Sequence, residues 1–469
     1  MKIRNILLIP SLLILLFSGI SSCGVDRWPE YASETKLDLW IDSVMKQEYL
    51  WYKEMPSVPL GGKYFEAPGT FLKSLLYAEK DKSYSYIDTI RNTPVPSYGF
   101  NYTTHRSANA DTLYEALVTY VLPHSPASIA GLERGDWIVK VNDELITKKN
   151  EKELFESGQA MKLSLGKYEI KKVETGEGDD KKVVEKGIVT ETGEIINVGP
   201  EEVVEDNPVH YSEIITTATG AKAGYLVYSH FTSGTATDKE KYNSELRKIS
   251  KEFADAGITY FILDLRYNTG GSLECAQLLS TLMAPSNALG TPFAYLEYND
   301  KQTAKNKELL FDPELIGSTG KNMNLSYGFI ISSSTTSGMA GIMLNCIVPH
   351  GKYVLIGSNV ACPGVTTEAF ISPERTWALN PVVCTVYNSE DESGEGGSFT
   401  AGYTANESED LTKFLPFGNK DEALLSIAIG LIDGTYPPKD DEKPKTKMSP
   451  IKSINKAHPD KVRNGTRLK

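Results

Sequence analysis

The sequence is poor in metal-ligating and redox side chains. Its 469 residues hold six His and five Cys. His105, His124, His210, His230, His350 and His458 are scattered, with none paired at ligand spacing, and no CxxC pair occurs. That argues against a structural zinc site. Apart from Cys23, four Cys in a chain of this length make no disulfide framework. Cys275, Cys346 and Cys384 lie in apolar runs and read as small buried hydrophobes. HExxH, GxSxG, a P-loop and a GxGxxG after a strand are all missing. No metal and no cofactor is implied. Excess positive charge is missing too: 49 Lys and Arg face 61 Asp and Glu, a net −12. That balance argues against general affinity for nucleic acid or anionic membrane. Beyond the N-terminus there is no long apolar run, which excludes a multi-span membrane protein.

What is present begins with an export signal. Lys2 and Arg4 precede an apolar stretch, Ile6 to Phe17, broken only by Pro10 and Ser11. Ser18-Gly19-Ile20-Ser21-Ser22-Cys23 follows. Charged head, apolar middle and small-residue end mark a secretory signal. A Cys directly after small residues resembles the lipobox of bacterial lipoproteins, with Cys23 lipidated after removal of residues 1–22. The expected location is the bacterial cell envelope, lipid-anchored, facing the periplasm or the exterior. Membrane contact would run through the acyl chains alone.

The rest divides by pattern. Length suggests about three domains. From Trp28 to about Arg91 the reading is helical, with Leu37, Trp40, Ile41, Val44 and Met45 at helical spacing. Residues 23–95 form this helical unit. Residues 96–217 form a β-rich unit: Tyr98-Gly99-Phe100 in a turn-to-strand segment, the run Ala116 to Leu122, then Arg134-Gly135-Asp136 and Ile138 to Asn142. A charged hairpin insertion follows, its tip at Gly176 to Lys182. Residues 218–436 alternate strand and helix, which argues an α/β core. Ile258 to Leu265 is nearly continuous apolar sequence, as in a strand buried on both faces. Residues 437–469 carry ten Lys or Arg against four Asp or Glu and read as a disordered basic tail.

Two segments can carry chemistry. In Asp264-Leu265-Arg266-Tyr267-Asn268-Thr269-Gly270-Gly271 a buried strand ends in a Gly-rich turn, whose free N–H groups suit an oxyanion. In Ser332-Ser333-Ser334-Thr335-Thr336-Ser337-Gly338 a strand ends in small polar residues before an apolar helix. There the helix dipole favours developing negative charge. Both also serve as plain strand-to-helix turns, and Ser337 as a helix N-cap.

The run from Val118 to Asn142 resembles a PDZ domain of the bacterial protease type, and the whole order of elements resembles the C-terminal-processing peptidases, or tail-specific proteases. The Asp-Leu-Arg-x-Asn-x-Gly-Gly signature at Asp264 to Gly271 carries this most specifically. Val354-Leu355-Ile356-Gly357, Asn380-Pro381-Val382-Val383 and Leu424 to Ala428 add to it. The resemblance implies a mixed α and β fold: a helical region, a PDZ-like β domain and an α/β core of the crotonase-like type. It implies peptide-bond hydrolysis by a Ser–Lys pair and polypeptide C-termini or unstructured peptides as partners. Ser337 takes the nucleophile's place, with Gly338 and the Gly270-Gly271 turn as the oxyanion hole. Tyr98-Gly99-Phe100 would be the loop that holds a peptide's carboxylate.

Two positions depart from the family pattern. Where the resemblance places a Lys stands Pro363, or Cys362 with a one-residue shift. Where some members carry a Glu stands Ala340. Lys352 precedes the strand that the family's Lys follows, a strand of roughly 13 Å. Three readings therefore stand side by side. The chain is a serine endopeptidase with another base, a non-catalytic peptide-binding relative, or a structural envelope lipoprotein.

Overall fold

The computed structural model describes residues 28–57, 62–90, 93–175, 182–408, 410–436, 452–454 and 465–467. The signal segment, Cys23 and the hairpin tip at Gly176 to Lys181 lie outside the described residues. Among the described residues no helix is long and apolar enough to cross a membrane.

The N-terminal unit is built on α1 (Ala32–Glu48) and α2 (Pro68–Leu75). Ile41 and Met45, one turn apart on α1, pack with Phe71, Leu72 and Leu75 of α2. The helical reading to Arg91 needs correction at its end. Tyr86–Thr89 is a strand, β1, antiparallel to Trp377–Asn380. β-branched Ile87 and Thr89 suit a strand, and the edge they join lies far along the chain. Val365, Leu379 and Val382 belong to the same apolar cluster as α1 and α2, so this unit shares its core with the late chain.

The PDZ-like unit contains β2 (Phe100–Arg106), β3 (Leu113–Val121), β4 (Trp137–Val141), β5 (Glu144–Thr147), β6 (Met161–Thr175) and β7 (Lys182–Val198). They form one sheet in the order β2-β3-β5-β4-β6-β7. Tyr98, Phe100, Tyr102, Val118, Ile138 and Phe155 fill its core.

In the α/β core, β8 (Val209–Thr216) pairs antiparallel with β9 (Lys222–Tyr228). From β9 the sheet runs parallel through β10 (Tyr260–Asp264), β14 (Tyr327–Ile331) and β15 (Lys352–Gly357). Leu226, Phe261, Leu263 and Ile330 face the cluster holding α3 (Lys241–Ala256), α4 (Leu273–Met283) and α5 (Met339–Ile347). Tyr225, Val227, Ile262 and Phe329 face the opposite cluster with α6 (Leu425–Asp433). Each strand is thus covered on both faces, which is why Ile258 to Leu265 reads as unbroken apolar sequence.

A second sheet contains β11 (Gly270–Ser272), Val365–Thr367, Val382–Tyr387, β12 (Pro292–Tyr298) and β13 (Lys307–Leu310). Here the tail departs from expectation. Gly465–Arg467 lies between β11 and Val365–Thr367, and Lys452–Ile454 pairs antiparallel with β2. A basic, Pro-containing segment cannot build a core of its own, but an extended strand needs only a sheet edge with free backbone groups.

Candidate active site

β10 and β14 are parallel neighbours, Asp264 beside Ile331. Both chemistry-bearing turns therefore leave the same, C-terminal, end of the sheet, where α/β folds place their sites. The hydroxyl run staples the turns together. Ser333 Oγ and Thr335 Oγ1 donate to the Arg266 carbonyl, the latter at 2.8 Å, and Thr336 Oγ1 donates to the Leu265 carbonyl at 2.8 Å. The Ser337 N–H donates to the Asn268 carbonyl at 3.0 Å.

Below the turns sits a buried ion cluster. Arg266 is fully buried; its Nε and Nη2 donate to Asp264 at 3.0 and 2.7 Å, and its Nη1 to Glu422 at 2.6 Å. Glu407 accepts from Arg266 and from Arg134, each at 3.0 Å. Arg134 belongs to the turn before β4 of the PDZ-like unit and donates to the Thr119 carbonyl at 2.7 Å. Two guanidinium groups thus face three carboxylates. Burial alone would raise the Glu422 carboxyl, but Arg266 and Arg134 outweigh it and hold it down at about 2.

Ser337 is exposed, and among the described residues no hydrogen bond reaches its hydroxyl. The N-cap expectation is corrected: the N-cap of α5 is Gly338, one residue on. Gly338 takes φ 62° and ψ −122°, a conformation that a side chain makes costly. In strand-to-helix nucleophile elbows the Ser occupies the strained position; here that position has no side chain.

The three oxyanion candidates separate. The Gly338 N–H is unengaged among the described residues. The Gly270 N–H is consumed by Asn268 Oδ1 at 2.9 Å, an Asx-turn legible in the Asn-x-Gly spacing. Gly270 O and Ser272 N both bond to Phe231, at 2.9 Å. By strand alternation the Gly271 N–H and C=O then point to the opposite edge, where Gly465–Arg467 pairs.

Among the described residues, no titratable side chain is hydrogen-bonded to the Ser337 hydroxyl. A Cβ on Gly341 would lie 2.2 Å from the Ala361 carbonyl oxygen, so the Ala361-Cys362-Pro363 segment packs directly on the first turn of α5. Pro363 is buried and cannot titrate. Cys362 is buried, and its thiol is pushed up to about 11 by that burial; it donates to the Ser393 carbonyl at 3.6 Å. Ala340 is fully buried. Lys352 pairs with Tyr327 at the start of β14, the end of the sheet remote from Ser337. His350 packs on the Phe311 ring and meets Ser389 Oγ at 3.0 Å. His230 meets Ser229 Oγ at 2.8 Å through Nδ1 and Asp206 at 3.5 Å through Nε2.

In the PDZ-like loop, Tyr98 and Phe100 are core residues, 3 % and 1 % exposed. The Gly99 N–H donates to Ser97 Oγ at 2.9 Å, and the Gly99 carbonyl accepts from the Leu122 N–H at 2.7 Å. The expected carboxylate-holding loop is therefore bonded to its own unit, and its aromatics face inward. The sheet edge that takes an extended segment is that of β2.

Sequence reasoning missed Arg134, Glu407 and Glu422 as partners of the Asp264–Arg266 turn. Nothing in their local sequence marks them, because the cluster joins residues more than a hundred positions apart. It also missed a cavity of about 390 Å³ between the two units, lined by Asn101, Thr103 and Thr119 on one side and by Tyr267, Thr269 and Ser334 on the other. Asn101 Oδ1 and Thr119 Oγ1 are buried there with no hydrogen-bond partner among the described residues.

A PDZ-like sheet clamped to an α/β core, with Ser337 at a strand-to-helix turn, defines a PDZ-containing peptidase architecture. Three family models match in the corresponding order: the peptidase S41 N-terminal domain at residues 36–86, a PDZ domain at 117–161 and peptidase family S41 at 222–393. The crystal structure of an S41-family protein from Bacteroides fragilis NCTC 9343 is similar at 43% identity, covering 84% of this chain and 97% of that one, with a TM-score of 0.77. The chain belongs to peptidase family S41. The photosystem II D1 C-terminal processing protease is similar at 13% identity, covering 85% of this chain and 98% of that one, with a TM-score of 0.44. No curated protein matches the sequence.

Proposed function

We infer that this S41 chain is a peptide-binding relative that holds extended polypeptides without hydrolysing them. The observation that carries this reading is the isolation of the Ser337 hydroxyl. A Ser hydroxyl is a weak nucleophile without an adjacent base, and among the described residues none is hydrogen-bonded to it. The segment where the resemblance places a Lys offers a Pro and a thiol kept protonated. What remains suits binding: a β2 edge that accepts an added strand, and a cleft edge at β11 with an outward N–H. The ligands are unstructured peptides or polypeptide C-termini.

The test is incubation of the chain and of Ser337→Ala with labelled unstructured peptides. Both bind and neither cleaves. Cleavage by the parent that vanishes in Ser337→Ala overturns the reading.

The work of this chain is at the cell envelope, with Cys23 as the acylated residue. The basic head, apolar run and small residues before Cys23 support this. Partition of the expressed chain into a detergent phase, abolished by Cys23→Ser, is the expected result. Partition unchanged by that substitution removes the anchor.

A further inference from the structure

We propose that the chain's own C-terminal segment is a built-in occupant of its peptide site, docking one short strand on the PDZ-like edge and a second in the cleft. This rests on the peptide-binding reading and names the first ligand of that site.

Both placements are those of an added strand. Lys452–Ile454 runs antiparallel along β2, with Tyr102 opposite Ile454 and Thr104 opposite Lys452. Among the described residues no other strand pairs on that side of β2, so the tail satisfies an edge that would otherwise be open. Gly465–Arg467 runs parallel to β11, Gly271 beside Thr466, and reaches Val365–Thr367 on its other side. It thereby closes the slot between the Gly-rich turn and the strand that follows Pro363. It also approaches α5, the helix that begins just after Ser337. β11, Val365–Thr367 and α5 therefore all border this strand. The Gly271 N–H, the one outward donor of the Gly270-Gly271 turn, faces it.

Two further observations agree. The two docking edges flank one cavity: Asn101 and Thr103 of β2 line it on one side and Thr269, next to β11, on the other. Charge is complementary as well. Residues 437–469 carry a net +6, which leaves −18 on residues 1–436 of a chain with net −12.

Occupation from within the same chain competes with any peptide from outside. An incoming ligand must displace the tail, so its apparent affinity is lowered by the fraction of sites the tail fills. Tail release thus becomes the step that opens the cleft.

The experiment uses the full chain and Thr466→Pro. Thr466 lies in a strand with partners on both sides, and Pro removes its N–H whichever neighbour that group faces. Amide hydrogen exchange is read at Gly271 and at Tyr102 to Thr104. A labelled peptide with the sequence of residues 461–469 is titrated into both proteins. The expected result is a protected Gly271 amide in the parent that exchanges at least about tenfold faster in Thr466→Pro. The labelled peptide should bind Thr466→Pro about tenfold more tightly. Gly271 exchange that is fast in the parent, or unchanged by the substitution, overturns the proposal. Protection lost on dilution also overturns it, by assigning the strand to a second copy. If the peptide binds both proteins equally and exchange does not respond, the peptide-binding reading stands and the tail proposal falls. If exchange responds but no peptide binds either protein, the tail docks and the general peptide-binding reading falls.

Discussion

The Arg134 guanidinium and the Glu422 carboxylate approach to 3.3 Å with both side chains buried. Arg134 sits on the PDZ-like turn, Glu422 just before α6, and Arg266 of the Gly-rich segment bonds the same carboxylate. One carboxylate therefore ties the PDZ-like unit to the turn that carries Gly270 and Gly271. It also accepts the Leu424 and Leu425 N–H groups, at 3.1 and 2.9 Å.

Removing Glu422 leaves Arg266 buried with one partner fewer and strips the start of α6. Breaking a buried ion cluster from one side costs about 3–5 kcal/mol. Urea unfolding of Glu422→Ala should show a loss of that size. A midpoint within error of the parent's would show that Asp264 and Glu407 suffice.

The same group sets an acid limit. Its folded value is about 2 against a usual 4.5, so the unfolded chain binds the proton first as pH falls. The stabilising effect of charged Glu422 is complete above about 4.5 and fades as pH drops towards 2. Stability followed from pH 5 to pH 2 should fall, and Glu422→Gln should flatten that fall. An identical slope in the variant would place the acid sensitivity elsewhere.

Gly341→Ala tests whether the Ala361–Pro363 segment is pressed onto α5. The added Cβ would meet backbone at 2.2 Å from Ala361 and 3.0 Å from Cys362. Overpacking against backbone costs about 1–3 kcal/mol. Thermal or urea unfolding reads it directly, and a neutral result would mean that the segment can move away.

Cys362 should behave as an inert thiol. It is 3 % exposed, and burial holds it protonated up to about 11. Iodoacetamide at pH 8 is expected to leave it unlabelled in the native chain and to label it once urea is added. Rapid native labelling would reinstate it as a candidate base.

The parts legible in sequence are those carried by local pattern. The Asp264 to Gly271 signature, the apolar strand before it and the amphipathic face of α3 needed no tertiary knowledge. Ile41 with Met45 and Phe71 with Leu75 declared their helices by spacing. The Asx-turn that consumes the Gly270 N–H was also readable, since Asn268 and Gly270 stand two apart. Tyr86–Thr89 was less so, because its pairing edge lies nearly three hundred residues away.

By itself, then, the sequence determined the family-level architecture and which residues, Pro363 or Cys362 and Ala340, stand where the resemblance places a Lys and a Glu, because residue identity does not depend on the fold. The tertiary structure alone decided the rest. Which glycine bears the strained φ, which N–H groups are consumed and where Glu422 finds its arginines depend on how distant strands are set side by side. The tail shows the same division. Its charge and proline content record that it cannot form a core, but a strand added to an edge draws its hydrogen bonds from the partner, and the partner is known only from the fold.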